Sequence, residues 1–171
     1  MVFPRGTAAQ GTPIDFASRF EQLRALSTQL AARPANGTTT LEPWGGIMLR
    51  GTDPQLNVFQ VPASAFTGAA LLSLDAPAGS LVVINISGSS ATFTGFGQTF
   101  SGGIDQQGVL FNFVDATAIS ASGYGFWGTV LAPFARVTFN NGSWDGGLYA
   151  VSLTGNAEGH INPLAGHTLC P

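Results

Sequence analysis

Lysine is absent from this chain of 171 residues, and charged side chains make up only 9% of it. The six arginines are scattered and the net charge is -3, so there is no basic stripe for nucleic acid and nothing to attract polyanions or anionic lipid. The single cysteine, Cys170, excludes an intrachain disulfide and a cysteine-based four-ligand zinc site. A low cysteine count does not fix the compartment, because a continuous core can stabilise a protein without cross-links. No apolar run is long enough to span a bilayer. The opening MVFPRGTAAQGTP has neither the basic nor the apolar region of a signal peptide, so an exported form would be a processed one.

Glycine (23) and proline (10) are plentiful, yet 44% of residues are hydrophobic and fall in short β-branched and aromatic runs, which argues for corners rather than disorder. In the second half an apolar strand, a turn, a second strand and a Gly or Asn corner recur: LVVINISGSSATFTG, VLFNFVDATAISASG, GTVLAPFARVTFNNG and GGLYAVSLTGN. Aligning Asn85, Asn112, Ala132 and Ala150 gives offsets of 27, 20 and 18 residues, close to one turn of a stacked β repeat. The expected fold is mainly all-β, a right-handed β-solenoid (β-helix) with one N-terminal helix packed along its side. A sandwich of about seven strands is the alternative. A stack offers flat faces rather than deep pockets, which favours surface binding.

Residues 1–12 read as a flexible lead-in and 13–171 as one domain. Thr12, Pro13 and Asp15 resemble a helix start, and Phe16, Phe20, Leu23, Leu26 and Leu30 form one apolar stripe. The helix is expected over about 14–33, ending before Pro34 and the Asn36-Gly37 turn. From Thr38 to about 164 the chain is short strands. Some are continuously apolar; others alternate, with Val137 and Phe139 inward and Thr138 outward.

Catalysis is not expected. Nine acids are dispersed, and the nearest approach to an acid/base group is Glu158 with His160, joined by Asp145 from the preceding turn; it is read as a corner hydrogen-bond cluster. Asp105 and Asp115 are read as turn caps, and Asp53-Pro54 as a turn. No metal site is expected, since Asn140, Asn141 and Asp145 are one carboxylate short of a calcium loop, and the asparagines suit a corner. No cofactor is implied. The candidate binding surface comprises Tyr124, Trp127 and Trp144, as aromatic platforms, and Thr92, Thr94, Thr138 and Thr154, as one outward column. Arg136 beside Thr138 would interrupt a flat, regular hydroxyl lattice. Val2 and Phe3 are candidates for self-association, as a strand donated to the uncharged final unit GGLYAVSLTGN; the competing expectation is that 156–164 caps that unit.

The ordered segments IDFASRFEQLRALSTQLAARPANGT, LNVFQVPASAF, SLDAPAGSLVVINISG, VLFNF, GTVLAPFARVTFNNG and YAVSLTGNAEGH resemble the choice-of-anchor A family of bacterial surface proteins, an adhesive domain similar to ice-binding β-solenoids. The resemblance spans about 14–164. It implies an extracellular or cell-surface, non-enzymatic adhesion module for an unknown glycan or protein ligand. The alternatives are a homo-oligomeric filament subunit and an ice-binding protein.

Overall fold

The computed structural model describes residue 11 and residues 14–166. Helix α1 (Phe16–Ala31) is capped by Asp15, whose carboxylate accepts a 3.1 Å hydrogen bond from the Ser18 amide. The cap therefore lies three residues beyond Thr12, which with Pro13 falls outside the described residues. Fourteen strands follow among the described residues: β1 (Thr38–Leu41), β2 (Gly46–Arg50), β3 (Leu56–Pro62), β4 (Leu71–Asp75), β5 (Leu81–Ser87), β6 (Ser90–Thr94), β7 (Gly97–Ser101), β8 (Val109–Phe113), β9 (Ala118–Ser122), β10 (Gly125–Phe126), β11 (Thr129–Asn140), β12 (Ser143–Asp145), β13 (Leu148–Gly155) and β14 (Glu158–His160).

The protein is mainly β with one helix, and its body is a curled parallel sheet. β3, β5, β8 and β11 pair in parallel in that order, the second half of β11 continues to β9 and β6, and β13 runs beside β11. The register breaks between Ala132 and Arg136, so β11 belongs to both halves of the curl. A second sheet has the order β1-β2-β4-β7 and a third β10-β12-β14, with only β1 and β2 antiparallel. Ile47, Leu72, Ile84, Phe93, Phe111, Phe126 and Phe139, from all three sheets, meet in one core.

Two burial patterns follow from what covers each half of the curled sheet. β5 and β8 are buried on both sides: Val82, Ile84 and Ile86 face the core, while Leu81 and Val83 meet Leu30 of the helix. That is why LVVINIS reads as a continuous apolar run. β6 and β9 have a wet outer face and alternate.

Two expectations are corrected. Asn112 pairs with Leu131, not Ala132, and a slip of one residue exchanges the faces: Asn112 and Leu131 lie on the helix side, Ala132 in the core. The helix stripe is also not uniformly docked. Leu30 is buried, Leu23, Leu26 and Phe20 are half-buried, and Phe16 is 61% exposed, because the helix packs through its C-terminal turns. Corner geometry is tight at Gly155, where φ is +128° and a Cβ would run into the Phe139 carbonyl.

Candidate binding surface

The outer face of β6, β9, β11 and β13 is a regular array of short hydroxyl side chains. Thr92 is in register with Ser120, Ser120 with Thr138, and Thr138 with Thr154, all exposed. Thr94 starts a parallel column through Ser122 to Asn140, and Ser90 starts a third through Ala118 and Arg136 to Ser152. The alternation is enforced from inside, since Ala91, Phe93, Ile119, Ala121, Val137 and Phe139 are the intervening residues and are buried. Strand pairing sets the spacing along a column at ~4.8 Å, and the strand repeat sets ~6.8 Å between columns. The Thr138 and Thr154 hydroxyls are 3.4 Å apart. Arg136 is the one charge in these columns, and one edge is closed by a pair of asparagines: Asn141 N donates to Asn156 Oδ1 at 2.8 Å and Asn156 Nδ2 to Asn141 Oδ1 at 3.1 Å. Asn141 takes the left-handed conformation, with φ of 52°.

The aromatic candidates are placed differently. Tyr124 is corrected out of the binding surface: only 2% of it is exposed, its ring packs against Phe96 with centroids 4.4 Å apart, and its hydroxyl donates to Gln98 Oε1 at 2.6 Å. Burial pushes its phenol well above the ordinary tyrosine range. Trp127 is half-buried and meets Phe100 edge-on at 5.4 Å; Trp144 is half-buried against Phe139 at 6.0 Å. Among the described residues the exposed large aromatics are Phe16, Trp44, Phe134 and Tyr149, of which Tyr149 alternates with exposed Val151 and Leu153 on β13. Alternation in YAVSL was the available signal for those three. Val2 and Phe3 lie outside the described residues.

The acid and imidazole group does come together. Parallel pairing of β12 with β14 sets Asp145 opposite His160, whose Nδ1 is 3.1 Å from Asp145 Oδ1, and His160 Nε2 is 3.8 Å from Glu158 Oε2. Both carboxylates address one imidazole from adjacent strands, which orients the ring and joins the strands. It does not place two carboxylates on opposite sides of a scissile bond. Of the trio, His160 lines a groove of about 580 Å³ between α1, β11, β13 and the 159–164 segment, whose other walls are mainly apolar side chains such as Leu23, Leu26, Leu131 and Leu164. Among the described residues no group of three or more His, Cys, Asp or Glu is arranged to hold a metal ion, and no helix is long and apolar enough to cross a membrane.

Compared with known proteins, residues 3–161 match the model of a family described as an ice-binding-like adhesive domain. The fold is similar to the crystal structure of a glycosylated ice-binding protein from an Arctic yeast, with a TM-score of 0.50 and 15% identity over 94% of this chain and 68% of that one. No curated protein sequence matches the chain.

Proposed function

Because this chain belongs to the family of ice-binding-like adhesive domains, we propose that it is an extracellular, non-enzymatic binding module whose contact surface is the outer face of β6, β9, β11 and β13. The observation that carries the reading is the in-register column Thr92, Ser120, Thr138 and Thr154 with its two flanking columns. A flat, rigid field of hydroxyls on paired strands loses little conformational entropy on contact and presents donors and acceptors at fixed spacing to an extended, hydroxyl-rich surface such as a glycan. We read the three sheets as the sides of a right-handed solenoid, whose regular stacking is what makes this face flat.

Ice is the second reading, favoured by the same column and weakened by the guanidinium of Arg136, exposed in the adjoining one. Adsorption separates the two. Labelled protein is incubated with growing ice, with insoluble cell-wall polysaccharide and with whole bacterial cells. Retention on polysaccharide or cells, and exclusion from ice, is the expected result. Retention by ice alone favours the second reading, and retention by none of the three overturns both.

A further inference from the structure

Two arginines that stand far apart in the sequence meet one edge of the hydroxyl face, and we propose that Arg24 and Arg136, with the ring of Phe134, hold the carboxylates of an acidic polysaccharide, a uronate-containing chain. The inference rests on the face assigned above and names the class of glycan it takes. Arg24 is half-buried where α1 meets the bend of β11. Its Nε donates to Pro133 O at 3.4 Å, and its guanidinium carbon lies 5.8 Å from the centroid of the Phe20 ring and 5.6 Å from that of Phe134. Two rings and a carbonyl fix the plane of the group, and its Nη donors bond nothing among the described residues. Phe134 is 37% exposed, and the next outward residue of β11 is Arg136, ~6.8 Å along the strand. Arg136 is exposed, with Ala118 in register on β9 and Ser152 on β13, and neither side chain is long enough to cover it.

Charge identifies the ligand. Neither guanidinium has an ion-pair partner among the described residues, and these include all nine acids of the chain. Glu21 lies one helical turn before Arg24 without pairing to it, and Asp115, at the corner before β9, accepts from the Gly88 amide at 2.7 Å. Arg50 on the second sheet differs, standing 3.6 Å from Asp75. Two unneutralised cations therefore give the margin of a neutral face a local positive field, although the chain as a whole carries -3. A guanidinium fork matches a carboxylate with two parallel hydrogen bonds, the exposed ring offers a flat apolar surface to the C–H face of a sugar ring, and the Ser and Thr columns offer partners for hydroxyls. A uronate brings all three. A polymer with a phosphate in every repeat fits less well, because two arginines leave most of its charge to face a net-negative protein. An arginine added at Thr138 would not reproduce the site: it stands in the central column, over Ser120 and Thr154, whereas Arg24 and Arg136 lie at the margin.

Adsorption of the full-length protein to polygalacturonate beads, and to the same polymer with its carboxyl groups methyl-esterified, tests this. The wild-type protein is expected to bind the acid form at least about tenfold more tightly than the ester. Arg136→Gln and Arg24→Gln are each expected to bring the acid form down towards the level of the ester, while Arg50→Gln keeps the full difference. Should Arg24→Gln unseat the helix, as circular dichroism would reveal, Arg136→Gln at its exposed position carries the test alone. Retention on neither polymer, or a difference that survives both substitutions, overturns the inference, and so does tighter binding to polyphosphate beads than to polygalacturonate. Equal retention of the wild-type protein on acid and ester overturns it too: if Thr138→Arg then lowers both, the hydroxyl face stands without the carboxylate site, and if it lowers neither, the face falls as well.

Discussion

Asn112 Nδ2 donates a 2.8 Å hydrogen bond to Asn85 Oδ1 on the neighbouring strand, joining two buried amides beneath the helix. Asn85 Nδ2 passes on to Leu30 O at 2.9 Å, while Ser27 Oγ donates to Asn112 Oδ1 at 2.6 Å and Asn112 Nδ2 also reaches Ser27 O at 3.0 Å. The helix is therefore held in register by polar bonds in an otherwise apolar seam.

Asn112→Ala strands the Ser27 hydroxyl and the Asn85 carbonyl oxygen in that seam, so it is expected to cost about 2 to 4 kcal/mol in urea melts. A double-mutant cycle with Asn85→Ala should give a coupling of about 0.5 to 3 kcal/mol. Additive effects would mean that the two amides act independently.

Helix docking is expected to be uneven. Leu30→Ala, at a residue 1% exposed, should cost about 2 to 5 kcal/mol, and Phe16→Ala less than about 0.5 kcal/mol. Equal losses in denaturant melts would contradict the graded burial.

Asp53 gives a pH signature. Its carboxylate accepts hydrogen bonds from the Gln55 and Leu56 amides, 2.8 and 3.2 Å away, and these hold its pKa below the ordinary carboxylate value. A depressed folded-state pKa adds stability above the unfolded value of about 3.9 and loses it as pH falls through the folded value. Asp53→Asn keeps the turn acceptor without the titration, so it should flatten the stability curve below about pH 4. Superimposable acid limbs for the two proteins would contradict this.

Glu158→Gln should leave stability within about 0.5 kcal/mol, since this side chain is 81% exposed and only 3.8 Å from His160 at its nearest. No glycan or ester turnover is expected from either protein. Turnover that vanishes in the variant would make the trio catalytic.

Strand order and inward residues were largely legible, because alternation in ATF and VTF and the corner residues report one local geometry each. The cap at Asp105, on the Gln107 amide, was legible for the same reason, whereas Asp115 caps the Gly88 amide of the preceding repeat, 27 residues away, a partner that no local signal names. What failed depended on neighbours distant in sequence. The Asn85 and Asn112 amides look like surface residues until a helix covers them, and Tyr124 sits in a glycine-rich stretch that reads as a loop, although Phe93 and Phe96 enclose it. The slip between Asn112 and Ala132 came from aligning strands by composition where only pairing decides the face. The Thr column was legible as outward residues; its register across four strands was not.

The most direct measurement compares two substitutions of the same kind in one adsorption assay. Thr138→Arg places a long charged side chain in the middle of the hydroxyl face, and Thr40→Arg places one at an exposed position on β1, in the second sheet. With cell-wall polysaccharide or cells as the surface, Thr138→Arg is expected to reduce retention at least about tenfold, a loss of ~1.4 kcal/mol, while Thr40→Arg stays at the wild-type level. Equal retention by both variants, or loss confined to Thr40→Arg, would contradict the assignment of the binding face.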